Sequence, residues 1–573
     1  MCCREVRKPI AFYIPELNIE FRCSYMLTNM KLETAAEIYT DVHKKSGQLQ
    51  YEQAFSTESE LTDHELEYCE YDIICLYEII KYYRDKYEHI AKIPLTQTGT
   101  VRKRLKKVVD FYYIRKMWSL VPPPDKYLLM MSCFSGGYTH TNILRAGTVQ
   151  HNASSWDIAS SYPSCFFYKF PCEVFRWCIN DEFLSKPDSY AYIVHVKFKN
   201  VKNKYYNTYI QKSKCFNTEF EHVIWDNGRM MSCDGSFEMT LSDVDYNIIT
   251  TAYHGEVEIL ECWKARKKYL DVRILKFILQ LYSEKTTLKG LKADNPADQE
   301  IIEDRYKSAK ECLNSCYGVS VSNILNNSSD FKDGIWYRNS FSAEFVKDKL
   351  DESRHSWSTL FQYSTGLYIT AYARANVFLT LLQLDSDVIY CDTDSIKYVG
   401  QHDDVFQKFN ESVLARYQAV CDYYPAELHM NDFRPIDAKG VQHTLGFFEC
   451  ENNGNIEEFL ALGAKKYCYR VDGELHLTMS GVKKSAVKYL DNDINNFKNG
   501  FKFGYKESGK LIHYYEDNMQ PVDYVDKDGN AAHSDLRYGV VLQPTSYTIG
   551  ITDLYEELMQ MVQQDDVEID YTK

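Results

Sequence analysis

Val388-Ile-Tyr-Cys-Asp-Thr-Asp-Ser-Ile-Lys-Tyr-Val399 sets two carboxylates, Asp392 and Asp394, one residue apart at a turn between two short strand-like runs. The flanking residues are β-branched or aromatic and favour pleated, partly buried backbone. A hairpin with acids at its tip crowds charges of one sign, which raises their pKa values and calls for a divalent cation. Acidic oxygen ligands of this kind suit Mg²⁺ or Mn²⁺ rather than Zn²⁺. The plainer reading is an acidic hairpin turn, since Asp is common in turns.

Two further segments weigh against the plainer reading. In Trp156-Asp-Ile-Ala-Ser-Ser-Tyr-Pro-Ser164, Asp157 precedes a tight segment in which Pro163 blocks any continuing strand. In Lys310-Glu-Cys-Leu-Asn-Ser-Cys-Tyr-Gly318, a helix-like run from about Ile301 carries Lys310, Asn314 and Tyr317 at i, i+4 and i+7, hence on one face. Gly318 reads as the C-terminal stop of that helix. A face with a cation, an amide and an aromatic ring suits a nucleotide, the Lys for phosphate and the ring for the base.

The order and wording of these segments resemble motifs A, B and C of family B DNA polymerases, roughly D-x-x-S-L-Y-P-S, K-x-x-x-N-S-x-Y-G and Y-x-D-T-D-S. Asp157 to Ser164 matches the first with Ser161 in place of Leu, while Lys310 to Gly318 and Tyr390 to Ser395 match the others in full. Phe134-Ser-Gly-Gly-Tyr138 looks like the Y-x-G-G element between exonuclease and polymerase domains, with Phe for Tyr. Lys465-Lys-Tyr467 looks like the later K-x-Y element. Lys465 and Tyr467 sit two apart on a strand-like run and so face one side; Asp472-Gly473 marks a hairpin turn after it. The gaps from Pro163 to Lys310 and from Gly318 to Tyr390 leave room for the insertions, TPR1 and TPR2, of the protein-primed branch found in phages, adenoviruses and linear plasmids. The resemblance, from about Glu20 to near the C-terminus, is to a protein-primed family B DNA polymerase.

That resemblance implies DNA-directed synthesis by phosphoryl transfer to a 3′-hydroxyl, where catalysis is mainly positioning and charge stabilisation. Two Mg²⁺ or Mn²⁺ ions about 4 Å apart would hold the attacking and leaving oxygens in line. By motif match Asp157 and Asp394 are the metal-bridging pair, and Asp392 beside them would tune or transiently contact a metal. Lys310 would meet the incoming triphosphate, with Asn314 on the same face, and Tyr317 would stack near the nascent base pair. Tyr162 would lie under the sugar and exclude a 2′-hydroxyl. Lys465 and Tyr467 would hold the primer terminus, and Gly136 and Gly137 the duplex; Lys285 is a further phosphate contact. The implied partners are template and primer DNA, dNTPs and a terminal protein whose hydroxyl primes replication of a linear viral or plasmid genome with strand displacement. A reverse transcriptase fits less well, because that group favours adjacent aspartates where this chain has Asp-Thr-Asp. A silent DNA-binding scaffold fits poorly with three intact acids.

The N-terminal part departs from the family. Tyr68-Cys-Glu-Tyr-Asp72 has the Y-x-x-x-D form of a third exonuclease motif, on a helix-like run from Leu66 to Tyr83. The nuclease also needs a D-x-E from an earlier strand and a further Asp. No Asp precedes Asp41, and no such D-x-E is expected upstream of Asp72. One carboxylate cannot assemble a two-metal site, so 3′→5′ exonuclease activity is expected to be absent, with the chain truncated, degenerate, or completed by a separate polypeptide.

The expected fold is α+β and multidomain: a right-hand polymerase with palm, fingers and thumb, two insertions and a partial RNase H-like exonuclease domain. The expected boundaries are exonuclease-like 1–95, connector 96–131, palm 132–165, TPR1-like 166–266, fingers 267–318, TPR2-like 319–360, palm 361–484 and thumb 485–573. The 573 residues, 45% hydrophobic and 26% charged, are ordinary for a globular protein, with no run of 18 apolar residues to span a membrane. No secretory h-region follows Met1, and the 18 cysteines include no C-x-x-C; reduced thiols, no structural zinc and a cytoplasmic location are expected. A net charge of −15 weighs mildly against nucleic-acid binding, but affinity depends on a local basic track. Val101-Arg-Lys-Arg-Leu-Lys-Lys-Val108, followed by Tyr112, Tyr113, Arg115 and Lys116, is the candidate track.

Overall fold

The acidic hairpin forms as its alternation requires. Val388–Asp392 (β3) and Ser395–Tyr398 (β4) pair antiparallel with Asp392 opposite Ser395, leaving Thr393 and Asp394 as a two-residue turn. Thr393 has φ +61°, a left-handed conformation a β-branched residue rarely adopts. Its N–H donates to the Tyr138 carbonyl at 2.6 Å, which fixes the tip.

The hairpin is part of a seven-stranded antiparallel sheet, next to its middle strand. Its other strands are Thr139–Thr141 (β1), Gln150–Ile158 (β2), Phe448–Gly463 (β5), Lys466–Val471 (β6) and Glu474–Met479 (β7), in the order β7-β6-β5-β2-β4-β3-β1. One face is apolar: Ile158, Cys391, Ile396 and Phe448 are buried against Val377, Phe378 and Leu381 of the helix Tyr363–Leu384 and Phe406 of the helix Asp403–Tyr423. Trp156 stacks on Phe406, with centroids 4.7 Å apart and rings 2° from parallel. A strand alternates its side chains between faces, so pinning Trp156 and Ile158 on the helices sends Asp157 to the opposite face.

A computed structural model describes residues 2–5, 8–28, 30–40, 61–293, 296–325, 329–332, 335–338, 342–504, 511–515, 522–525, 531–534, 540–544 and 546–563. Within these bounds the chain forms two compact units. The first comprises residues 120–287, 361–510 and 546–573. It contains the seven-stranded sheet and a second, six-stranded sheet built on the long strands Tyr190–Asn203, Arg229–Ser242 and Tyr253–Lys268. The hairpin joining Phe216–Asp226 to Arg229–Ser242 turns on Asn227 (φ +47°) and Gly228 (φ +85°), the residue pair a type I′ turn favours. The helix Asp553–Gln563 packs Tyr555, Leu558 and Met559 against Ile143 and Ala146, just beyond β1.

The second unit comprises residues 1–119, 288–360 and 511–545. Cys2–Glu5, Lys8–Ile14 and Ile19–Arg22 make a three-stranded antiparallel sheet, and the helix Asp63–Tyr87 follows. The basic segment is a helix, Gln97–Val108, against the helix Pro296–Ser320. Ile335–Arg338 pairs in parallel with Val522–Val525, joining the second expected insertion to the last part of the chain through backbone. Among the described residues no helix is long and apolar enough to cross a membrane. The acidic run after Gln563 lies outside the described residues, as do parts of the segment from Ser320 to Ser358.

Candidate active site

On the polar face of the sheet the cross-strand register lines up two rows. Thr139, Asp392, Ser395, Asp157 and Glu449 face one another across β1, β3, β4, β2 and β5, and Tyr390, Lys397, Ser155 and Glu451 form the next row. The Ile158 N–H donates to the Asp394 carbonyl at 2.8 Å, which draws the hairpin tip against Asp157. Burial pushes the Asp157 carboxyl up to about 7, and the charges of Asp394 and Glu451 add to the effect. Burial and then Asp392 push Asp394 up to about 6. Lys397 opposes both shifts, and Lys285 opposes that of Asp157. Two half-buried acids whose ionised forms are disfavoured in this way fit a divalent cation. Among the described residues no group of three or more His, Cys, Asp or Glu side chains is placed to hold a metal. Such a cation would therefore complete its shell with water and substrate oxygens, the usual habit of Mg²⁺.

Asp392 is engaged differently. Lys465 Nζ donates to both of its oxygens at 2.8 and 2.9 Å, and the hydroxyls of Thr139 and Thr393 donate at 3.1 and 3.2 Å. Lys465 is not on the strand that the sequence spacing implies. It sits in a left-handed turn (φ +56°) before β6, held by its N–H donating to the Tyr390 hydroxyl at 3.0 Å. Both side chains still reach the polar face, Lys465 at Asp392 and Tyr467 at Tyr390, two residues apart on β3. Tyr467 stacks on Phe459 and packs against Tyr390, with centroids 5.3 and 4.7 Å away.

The glycines of Phe134-Ser-Gly-Gly-Tyr138 differ from each other. A Cβ on Gly136 would meet open space, whereas one on Gly137 would lie 2.8 Å from both the Thr393 methyl and the Tyr162 hydroxyl. Gly137 thus lets the loop close on the hairpin tip and on Tyr162 together. Arg374 holds that loop by donating to the Ser135 and Gly136 carbonyls. Its guanidinium is paired with Asp245 at 2.7 Å, both side chains being 4% exposed. Lys285 reaches the motif A turn, its Nζ donating to Ser160 Oγ at 3.0 Å.

Lys310, Asn314 and Tyr317 lie in the second unit, on the helix Pro296–Ser320, with Lys310 and Asn314 exposed and Tyr317 half-buried. Gly318 does not end that helix, which continues to Ser320. Its lack of a side chain serves close packing instead, since a Cβ there would sit 3.3 Å from Thr98 Oγ1 on the basic helix. Arg102 and Lys106 of the basic helix donate to Ser322 and Ser358 at 2.6 and 3.1 Å, so part of its charge is spent inside its own unit.

Tyr68 and Asp72 are half-buried on the helix Asp63–Tyr87, which starts three residues before the expected Leu66 and runs four beyond Tyr83. One D-x-E does precede Asp72, contrary to the sequence reading. It is Asp63-His-Glu65, in the first turn of the same helix, where Glu65 closes a capping box with Thr62. It supplies no strand-borne pair of acids.

Sequence reasoning missed Lys397 and Glu451. Ser155 Oγ donates to Glu451, and Lys397 Nζ lies 3.6 Å from the same carboxylate and 2.7 Å from Ser395 Oγ. Lys397 was visible as the one cation in the hairpin; Glu451 is identifiable only once β5 is known to pair with β2. Arg374 and Asp245 were missed as well, because nothing local marks a pair 129 residues apart.

The model of the family DNA polymerase type B, organellar and viral, matches residues 21–412. Among solved structures, the orthorhombic crystal form of Phi29 DNA polymerase matches with a TM-score of 0.60 at 17% identity, over 96% of this chain and 84% of that one. Phi29 DNA polymerase complexed with primer-template DNA matches with a TM-score of 0.57 at 17% identity, over 92% and 80%. Its ternary complex with primer-template DNA and incoming nucleotide substrates matches with a TM-score of 0.55 at 16% identity, over the same shares. No curated protein matches the chain.

Proposed function

The chain belongs to the organellar and viral type B DNA polymerases, and on that premise we propose that Asp157 and Asp394 are the metal-binding carboxylates of its polymerase centre. It is a DNA-directed DNA polymerase with the α+β, multidomain fold of the Phi29 enzyme. The observation that carries the site assignment is the pair itself: Asp157 on strand β2 and Asp394 in the hairpin turn, drawn together by a backbone hydrogen bond, each with a raised pKa. Bound Mg²⁺ or Mn²⁺ ions would acidify the primer 3′-hydroxyl and neutralise charge developing on the phosphates. Asp157 and Asp394 would orient those ions, and Asp392, held by Lys465, would set the field beside them. Lys397 would keep the acid face from excess negative charge between turnovers.

Tyr162, beneath Gly137, would bar a ribose 2′-hydroxyl. Lys310 and Asn314 would bind the triphosphate, Tyr317 would stack near the new base pair, and Lys285 would fix the motif A turn or take a phosphate. Lys465 and Tyr467 would hold the primer end, and the Gly136-Gly137 loop the duplex. The domain boundaries from 132 to 573 drawn from the sequence are part of this reading. Extension of a labelled primer on a DNA template, lost in Asp394→Ala, tests it; extension that survives in Asp394→Ala would overturn the assignment.

Protein priming is a finer reading, supported by motif spacing and by likeness to the Phi29 fold. A terminal protein would present a hydroxyl where a DNA primer end otherwise lies, and replication would proceed with strand displacement. Metal-dependent transfer of a labelled dNMP to a protein hydroxyl tests the first point. Deleting the segment from Ser320 to Ser358 should reduce synthesis through duplex DNA while sparing short gap filling. A cytoplasmic site of action belongs to the same reading.

A further inference from the structure

In the second unit a cluster of aromatic rings stands exposed among cations. The helix Phe111–Ser119 buries Tyr113, Ile114 and Met117. Its outer stripe carries Phe111, Arg115 and Trp118 at i, i+4 and i+7, and the neighbouring stripe carries Tyr112 and Lys116. Trp357 completes the group: its ring centroid lies 5.4 Å from that of Phe111 and 6.0 Å from that of Trp118. Phe111, Tyr112 and Trp357 are 46, 79 and 54% exposed, which is unusual for three adjacent large rings. The loop bearing Trp357 is pinned on both sides. Tyr113 Oη donates to the Leu360 carbonyl and Trp118 Nε1 to the Ser356 carbonyl, each at 2.7 Å, and Lys106 Nζ donates to Ser358 Oγ at 3.1 Å. The rings are therefore held outward by structure, not left there by a loose loop.

We propose that Phe111, Tyr112 and Trp357, with Arg115 and Lys116, form a stacking platform for single-stranded DNA. Arg115 and Lys116 are exposed and paired with no carboxylate among the described residues. The acids nearest in sequence are already engaged: Asp110 accepts from the Tyr113 N–H, Asp351 pairs with Arg354 and Glu352 with Lys349. A chain of net charge −15 thus presents a locally cationic, aromatic surface. Base faces stack on such rings without regard to sequence while cations follow the backbone; paired bases in a duplex hide those faces. This fits unpaired template better than duplex. A protein partner would find the apolar rings, but it has no evident need of cations on both stripes.

The proposal rests on the chain being a DNA polymerase, and the test separates the two. Binding of labelled oligo(dT) and of blunt duplex is measured on the full chain for wild type, Tyr112→Ala/Trp357→Ala, Trp357→Phe and Arg115→Glu/Lys116→Glu. Primer extension on a template with a one-nucleotide overhang is run beside it. The double alanine variant should bind oligo(dT) roughly ten-fold or more weakly, Trp357→Phe should stay near wild type, and the charge variant should weaken binding with a shallower salt slope. Duplex binding and short-template extension should hold, which also shows the variants folded. Unchanged oligo(dT) affinity in both the alanine and charge variants would overturn the platform and leave the rings as a protein-docking face. Loss of extension in every protein, wild type included, would instead count against the polymerase reading.

Discussion

At the scale of single residues, Asp394 shows what the site costs the fold. Its carboxyl is pushed up to about 6 by burial and by Asp392, so at neutral pH the ionised form is held against its preference. A group whose folded-state pKa is raised destabilises the fold once ionised, so removing the charge should help the metal-free protein. Asp394→Asn is expected to abolish primer extension yet raise metal-free stability by about 1–3 kcal/mol, one pK unit being about 1.4 kcal/mol. Adding Mg²⁺ should narrow that gap by stabilising wild type more than the variant. Thermal melts with and without Mg²⁺ check this, and a variant less stable than wild type without metal would contradict it. Gly137 makes the complementary point about space. Gly137→Ala must displace Thr393 or Tyr162 and is expected to cost about 1–3 kcal/mol with a large fall in extension rate. Gly136→Ala meets nothing and should leave the melting temperature unchanged.

At the scale of elements, the sheet owes its polar face to its apolar one, while the Gly-Gly loop depends on a buried ion pair. Arg374, on the helix Tyr363–Leu384, bonds the Ser135 and Gly136 carbonyls and pairs with Asp245 of the helix Asp243–Ala252. Removing one partner leaves a buried charge alone, a loss of about 3–5 kcal/mol. Asp245→Ala should show this in denaturant midpoints, and Asp245→Leu combined with Arg374→Leu should recover much of the stability without restoring the loop's position or primer extension. Recovery of extension by the double variant would deny Arg374 that positioning role. The sequence made the hairpin and the motif B helix legible, because each is a local pattern with its own period. It placed Lys465 on a strand and ended a helix at Gly318, and both misreadings share a cause. Lys465 turns left-handed because Tyr390 and Asp392, on another strand, hold it, and Gly318 is small because another helix lies against it. Glu451 and Asp245 became visible only through pairings across long stretches of chain.

At the scale of the whole molecule, a net charge of −15 sits on a protein of a DNA polymerase family. The resolution is local: Asp157, Asp392 and Asp394 crowd the face where metal binding is proposed, Lys465 pairs with Asp392 and Lys285 bonds Ser160 beside them, and phosphate contact is proposed at these cations and at Arg115. The N-terminal part is the exception to this economy. Tyr68 and Asp72 lie four apart on one helix, yet the one D-x-E upstream is consumed in capping that helix, and among the described residues no set of three ligands is placed for metal. Exonucleolytic cleavage through two ions needs carboxylates converging from separate elements, and Asp72 has no described group of that kind around it. The expected outcome is that a 5′-labelled single-stranded oligonucleotide incubated with this chain and Mg²⁺ keeps its length, and that Asp72→Ala changes nothing. Misincorporated 3′ ends should then persist, or be extended, without first being removed. A ladder of shortened products that disappears in Asp72→Ala but persists in Asp394→Ala would show that a complete nuclease site exists after all, with its remaining acids among residues 41–60 or in another part of the chain outside the described residues.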